Sequence, residues 1–477
     1  MRVAFINPPR TVLNKDPIRA GTPLGLLSLA GMVRRYFPEV DIHFIDMVVK
    51  GKEKQEIKKG VFGFGLTSDE LKNKLIKIGI KQGDLVAISN IFTSEWKNAA
   101  LCTKIAKELG AITILGGHHA TYMPGYMLEF TKADYIVLGE GELPFIELVD
   151  SILEQKTSLK ELKKIKGIAF RSEDKIINTG RDRTVKNMDE LEDPAFDLLD
   201  SGLYIPKLNH WGKISKESSA FIDYSISRGC PMGCRFCTST DMWGRKIRIF
   251  SSERIKTQLR KIRELRFDNL AIEDDQIVLL PEKERKVLFR ELRNLSFKWV
   301  IDAGLYYPSI TEDFVRELAD NGCYNVFIPI EHPILEIMHN EEKYRKIKAQ
   351  EEVKNTLKIL FKMLSGYKIN FYIGIMVGFV QETKKTLEAV LEYAKFAKEQ
   401  GASNVMFSFV KPFPGTKYDR REITIDIERS WTLFPEYWTF STPVLKPKEL
   451  TIRELTQRVD GISMEINGRK NSLIGLK

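Results

Sequence analysis

The stretch SRGCPMGCRFC, residues 227 to 237, decides how this chain is read. Three of its five cysteines, Cys230, Cys234 and Cys237, fall inside it, separated by three residues and then by two. Gly229, Pro231 and Gly233 keep the segment out of a helix, so its backbone can wrap around whatever the thiols hold. A disulfide framework would spread cysteines along a smaller, secreted chain. One tight group in a large, cysteine-poor chain points instead to a metal site in a reducing compartment. The residues just before it, IDYSISRG (222–229), read as a strand.

That strand opens an alternating array. Strands are expected at 222–229, 269–275, 298–304, 325–331, 369–379 and 404–412, with helices near 252–266, 282–294, 311–321, 350–364 and 383–399. Six strand–helix units are too few to close an eightfold barrel, so an open, partial (β/α)6 barrel is expected over 216–415. Upstream the same alternation recurs. Strands at 2–7, 40–47, 84–91, 111–117 and 134–141 alternate with helices at 25–37, 68–79, 94–109 and one reaching about Leu153. Continuous Val, Ile and Leu runs between amphipathic helices imply a doubly wound parallel sheet over 1–153. Ligands of such sheets sit beyond the carboxyl ends of the strands. Here those ends carry Asn7-Pro8-Pro9, Asp46, Ser89, Gly116-Gly117 and Gly139-Glu140-Gly141. Residues 154–215 read as a connector with a β-hairpin in KGIAFRSEDKIINTG, and 416–477 as a small, mainly helical C-terminal domain. The fold class is α/β throughout.

Three thiolates can hold three irons of a [4Fe–4S] cluster and leave the fourth open to a substrate ligand. Zinc is the rival reading, and it usually requires a fourth protein ligand nearby. The nearest histidines are His210 and His332. A chance grouping of structural cysteines is the third reading.

CxxxCxxC after the first strand of a six-unit partial barrel resembles the radical S-adenosylmethionine (radical SAM) superfamily, over roughly 216–415. The resemblance implies that Cys230, Cys234 and Cys237 bind the cluster and that Phe236 lies beside the adenine of S-adenosylmethionine. It further implies contacts to that molecule from Glu273, Asp274 and Asp275 at the end of strand two, Glu331 at the end of strand four, Gly378 on strand five and Pro412 on strand six. Gly374, Gly378, Glu382 and Thr383 match the pattern G-x-x-x-G-x-P-G-E-T, in which Val380 and Gln381 replace Pro-Gly. The residues carry plainer readings too. Acidic residues at strand ends cap helices, Glu331 can pair with a cation, and glycines can simply permit turns. The chemistry implied is reductive cleavage to methionine and a 5′-deoxyadenosyl radical, which removes a hydrogen atom from an unreactive carbon.

The first domain resembles the Rossmann-like cobalamin-binding module fused to many such enzymes, through NPP, Pro23-Leu24-Gly25-Leu26, the GGHHAT run and GEGE. That resemblance assigns cobalamin contacts to Asn7, Pro8, Ser89, Thr93, Gly116, Gly117, His118, Gly139, Glu140 and Gly141. The D-x-H-x-x-G motif is absent, so no histidine is offered as the lower cobalt ligand. Methylthiotransferases are excluded, because Cys102 is the first domain's single cysteine; the tail holds none for an auxiliary cluster. Cys102 and Cys323 read as core, with a hydrogen-donor role for Cys323 as the alternative.

The resemblance as a whole implies a cobalamin-dependent radical methyltransferase acting on an unactivated carbon through methylcobalamin. Two readings stand beside it: radical cyclisation, carbon–carbon coupling or oxidation without methyl transfer, and a non-catalytic sensor or binding module. A small-molecule, lipid or peptide substrate and a flavodoxin or ferredoxin-type electron donor are implied. Composition is that of a globular protein, 43% hydrophobic and 29% charged over 477 residues. The net charge of +10 is interleaved with Glu, as on solvated helix faces, so nucleic acid is not expected as a partner. No apolar run reaches membrane-spanning length, and the first residues read as a strand rather than a signal peptide, giving a cytoplasmic expectation. Trp431 and Trp438 read as core aromatics that could line an apolar cavity.

Overall fold

The computed structural model describes residues 1–13, 21–51, 54–58, 60–181, 184–204, 220–418 and 435–469. His210, Trp431 and parts of the expected connector and tail lie outside these. The chain divides into two compact units, one reaching Tyr204 and one following it.

The first unit is built on seven strands: β1 (Arg2–Asn7), β2 (Asp41–Asp46), β3 (Leu85–Ser89), β4 (Ile112–Gly116), β5 (Tyr135–Val137), β6 (Ile168–Ser172) and β7 (Lys175–Asn178). Their order in the sheet is β7-β6-β5-β4-β3-β1-β2. The β1–β5 part is parallel, with the order reversing at β1 and β3. β1 reads VAFI at its centre and is fully buried, as a strand covered on both faces must be. The 166–180 hairpin, expected inside a connector, is β6 and β7. It pairs antiparallel with β5 and so extends the first sheet. A sequence reading sees the hairpin's turn but not which sheet edge accepts it. A small antiparallel sheet of Arg10–Leu13, Val61–Phe64 and Lys54–Lys58 was not expected; its strands are short and mostly charged or glycine-bearing.

The second unit contains β8 (Phe221–Tyr224), β9 (Asn269–Ile272), β10 (Lys298–Ile301), β11 (Cys323–Glu331), β12 (Asn370–Val377) and β13 (Val405–Phe409), all parallel and in sequential order. β8 and β13 are the edges, so the array is open. Several strands end earlier than their apolar pattern suggests. β8 stops at Tyr224, and β9 stops at Ile272 rather than Asp275. The cause is local: the Ile226 N–H leaves the ladder and donates to Asp274. The register of β11 against β12 shifts between Pro329 and Glu331, where Glu331 takes φ +63. A bulge of this kind re-aims the terminal side chain of a strand. Gly374, matched above to a ligand-contact pattern, makes room for a ring instead: a Cβ there would lie 2.6 Å from Phe327, which stacks on Tyr372 at 4.8 Å. The helix Ile452–Asn467 packs against β13 and the helix Lys384–Glu399.

Candidate active site

The cysteine loop is held open by its frame. Gly229 has φ +111, and a Cβ there would meet the Lys246 carbonyl oxygen at 2.3 Å. The Cys230 N–H donates to the Gly244 carbonyl at 3.0 Å. Thr240 Oγ1 donates to the Cys230 carbonyl at 3.0 Å and accepts from the Gly233 N–H at 3.1 Å. From the other side, Lys417 Nζ donates to the Gly233 carbonyl at 2.7 Å, and the Arg235 N–H to the Glu341 carbonyl at 3.1 Å. Cys230 and Cys234 are buried, and Cys237 is half-buried. Burial pushes the Cys230 thiol up to about 12 and Cys234 to about 11. Metal binding would have to displace those protons.

Around the thiols lie charged groups from other strand ends. Ser239 bridges Cys237 and Asp275: its N–H and Oγ lie 3.4 Å from Cys237 Sγ, and its Oγ donates to Asp275 at 2.9 Å. Burial raises Asp275, and Ser239 counters it. Glu331 forms a short ion pair with Lys343. Burial disfavours charge on Lys343, but Glu331 and Cys234 outweigh it and hold the ammonium form. The same Nζ lies 5.7 Å from the centre of the Phe236 ring. The site residues named from sequence therefore separate into two sets. Cys230, Cys234, Cys237, Phe236, Asp275 and Glu331 share one neighbourhood.

Asp274 belongs to the scaffold. It is buried, accepts from the Ile226 N–H at 3.1 Å and from Ser227 Oγ, and so pins the strand exit into the cysteine loop. Glu273 follows β9 directly and its N–H donates to the Tyr224 carbonyl at 2.9 Å. Gly378 has φ +81, and its N–H donates to Glu382 at 2.9 Å. Glu382 is fully buried; it also accepts from Thr386 and lies 3.2 Å from His332 Nε2. His332 Nδ1 accepts the Ile334 N–H, so Nε2 carries the proton that faces Glu382. Pro412 is buried beyond β13. Sequence reasoning missed Ser239, Thr240, His332 and Lys343. They lie outside the motif, and their roles appear only once the strand ends are brought together. Cys323 is buried at the amino end of β11, away from the carboxyl ends, with Sγ 3.6 Å from the Asn325 carbonyl. Cys102 is core, 3.7 Å from Met47 Sδ.

In the first unit the named residues cluster at the carboxyl end of the parallel strands. Gly117 has φ +106, and a Cβ would meet the Asn90 carbonyl at 2.6 Å. Thr93 Oγ1 lies 3.1 Å from His119 Nδ1, tying the loop after β3 to the turn after β4. Burial lowers His118 to about 4 and His119 to about 3. Asn7 donates to the buried Asp46 at 3.0 Å, which also accepts from Tyr204 at 2.6 Å. Glu140 accepts from the Val185 N–H at 3.3 Å, and Gly139 N–H donates to Thr121 at 3.0 Å. Asn7 and Glu140 thus serve the scaffold. Ser89, Gly116, Gly117, His118 and Gly141 line the strand ends around the order reversal, with the exposed Ile91 and Phe92 beside them.

The donor sets fit the expected groups. Among the described residues no three His, Cys, Asp or Glu side chains converge on a single metal ion, the three cysteines included; thiols spread along one glycine-opened loop suit the separate irons of a cluster with one iron left open. Small residues beyond a parallel sheet's switch point suit a nucleotide-tailed cofactor.

The model of the radical SAM superfamily matches residues 224–394, and that of the B12 binding domain matches residues 19–149. The chain carries a radical SAM domain and a B12-binding domain. An uncharacterised methyltransferase of Pyrococcus horikoshii is 27% identical over 464 residues, covering 96% of this chain and 90% of its own. An anaerobic magnesium-protoporphyrin IX monomethyl ester cyclase of Cereibacter sphaeroides is 24% identical over 470 residues, covering 97% and 69%. Among solved structures, the radical S-adenosylmethionine methyltransferase TsrM of Kitasatospora setae, with cobalamin and a [4Fe–4S] cluster bound, shares the fold. Its TM-score is 0.65 at 16% identity, covering 87% of this chain and 73% of that one. The proteins this chain is similar to thus include methyltransferases and a cyclase. None of the chain's described helices is long and apolar enough to cross a membrane.

Proposed function

We propose that this enzyme transfers a methyl group to an unactivated carbon of a small organic substrate. The observation that carries the reading is one chain bearing both a three-thiol loop framed by carboxylates and glycines at the strand ends beside the switch point of a parallel sheet. Cys230, Cys234 and Cys237 would hold a [4Fe–4S] cluster; when bound, it supplies the electron that cleaves S-adenosylmethionine. Ser89, Gly116, Gly117, His118 and Gly141 would seat cobalamin, which when bound carries the methyl group. The protein's own part is placement. Ser239 orients Cys237, and Asp275 orients Ser239. Lys343 supplies positive charge beside Glu331 and the loop. Glu382 fixes the Gly378 backbone through a fully buried pair with His332. The Tyr344 ring, stacked on Tyr306 at 5.8 Å and tilted against Tyr307 at 4.8 Å, excludes water beside Lys343. A flavodoxin or ferredoxin-type donor delivers the electron.

The test is anaerobic. Protein reconstituted with iron, sulfide and hydroxocobalamin is desalted, analysed for iron and cobalt, then given S-adenosylmethionine, reductant and candidate substrates. The reading expects 5′-deoxyadenosine, S-adenosylhomocysteine and a product heavier by one methylene. Turnover that yields 5′-deoxyadenosine without S-adenosylhomocysteine rejects methyl transfer. It would favour the second reading, radical ring formation, which the cyclase of Cereibacter sphaeroides supports through its match along nearly the whole chain.

A further inference from the structure

Beyond β13, the structure buries a lysine with no carboxylate paired to it among the described residues. Lys411, immediately before Pro412, is 2% exposed, and its Nζ donates to Thr442 Oγ1 at 3.3 Å. Burial pushes its charged form down, and no carboxylate among the described residues opposes that. Lys343 is the contrast: similarly buried, it is paired with Glu331. A second donor lies in the same layer. Trp438 is 1% exposed, and its Nε1–H has no hydrogen-bond partner among the described residues. Its ring packs against Phe413, two residues past Lys411, at 6.1 Å. The layer is tied to the barrel on two strands. The Phe409 N–H donates to the Phe440 carbonyl at 2.8 Å, and the Lys448 N–H to the Val380 carbonyl at 3.0 Å. It therefore covers the carboxyl ends of β12 and β13.

An indole N–H can only donate, and so can an ammonium. A buried lysine with a single hydroxyl acceptor and a buried indole N–H with none among the described residues are costly in the free protein, and a fold retains them at a site when a ligand supplies the complement. The complement is an anionic oxygen group. It would restore the charged form of Lys411, giving a charge-assisted hydrogen bond, while the indole adds direction.

We propose that Lys411 and Trp438 bind an anionic group, a carboxylate or a phosphate-type group, carried by the substrate. The proposal rests on the enzymatic reading above only in assigning that anion to the substrate. It places the substrate among organic anions and makes Lys411 and Trp438 its specificity-determining contacts.

The test uses the full-length reconstituted protein. Inorganic phosphate and acetate are titrated separately by calorimetry, with and without saturating S-adenosylmethionine, in the wild type, Lys411→Met and Trp438→Phe. Saturable binding of one anion, weakened at least tenfold by Lys411→Met and severalfold by Trp438→Phe, is expected. Preference for phosphate or for acetate names the group. No saturable binding overturns the proposal, and so does binding that Lys411→Met leaves unchanged. Loss of anion binding when S-adenosylmethionine is present also overturns it, because the anion then belongs to that molecule. Trp438→Phe keeps the ring packing and gives a decision even if Lys411→Met does not fold. Anion binding needs no turnover. It can therefore hold while the product assay fails, or fail while the product assay succeeds.

Discussion

Replacing Gly229 with alanine should empty the cluster site while leaving the rest of the protein folded. At φ +111 an L side chain is strained; such conformations cost about 1–3 kcal/mol. The added methyl also meets the Lys246 carbonyl oxygen at 2.3 Å. Non-bonded contacts of carbon settle near 3.5 Å, so one backbone or the other must move by roughly 1 Å. Overpacking of that kind adds about 1–3 kcal/mol. The sum, about 2–6 kcal/mol, falls on a segment whose neighbours cannot simply follow. Moving 246 strains the Cys230 N–H bond to Gly244 and the short ladder pairing Ser227 with Ile249 and Arg228 with Arg248. Total stabilities run to about 5–15 kcal/mol, so the fold can survive, but ligand positions need to hold within about 0.5 Å. The assay is anaerobic reconstitution followed by iron and sulfide analysis, with circular dichroism as the control. Iron should fall from about four per chain to below one while the dichroism spectrum is unchanged. Full iron in Gly229→Ala, with an unaltered melting temperature, would refute the claim that this glycine opens the loop.

Three further outcomes are expected. Gly117→Ala, at φ +106 and 2.6 Å from the Asn90 carbonyl, should give the reverse phenotype in the same assay, cobalt lost and iron kept. Asp274 is pushed by burial to about 6, from an ordinary value of 3.8. Its folded pKa is raised, so its contribution is fully present below about pH 4 and is lost as pH rises through about 6. That amounts to roughly 3 kcal/mol. Urea unfolding of the cluster-free protein should lose stability across that window in the wild type but not in Asp274→Asn; parallel slopes would count against it. Lys343→Met should destabilise by about 3–5 kcal/mol by leaving Glu331 buried without its partner, and Lys343→Met with Glu331→Gln should recover much of it, as read by a thermal double-mutant cycle.

The parts of this protein that repeat or carry rigid covalent demands were legible from sequence. Strand–helix alternation follows from apolar periodicity, and the 230–237 spacing follows from what three thiolates on one loop can hold. The six barrel strands and the five parallel strands of the first sheet therefore fall where their patterns lie, within a few residues. The errors have a shared cause. β8 and β9 end early because a single buried carboxylate, Asp274, captures the Ile226 N–H, and no local pattern announces that capture. The hairpin at 168–178 joins the first sheet because β5 offers an unpaired edge. Ser239 and Lys343 carry no motif, since their partners are 36 and 12 residues away.

The acidic residues at the strand ends show why motif matching alone overstates a ligand shell. Asp274, Glu382, Asp46 and Glu140 are all buried, and each accepts at least one backbone or side-chain donor at a strand end. A carboxylate saturated by donors from its own fold holds geometry and has little capacity left for a ligand. Asp275 and Glu331 differ: each has a partner that also faces the cysteine loop, Ser239 for one and Lys343 for the other. Their charge is thus coupled to the site rather than consumed by the backbone. The same accounting separates the buried lysines. Lys343 is satisfied by a carboxylate of the fold, whereas Lys411 meets, among the described residues, a hydroxyl. Saturation by the fold, more than position in a motif, distinguishes the residues that build this site from those left to meet what it binds.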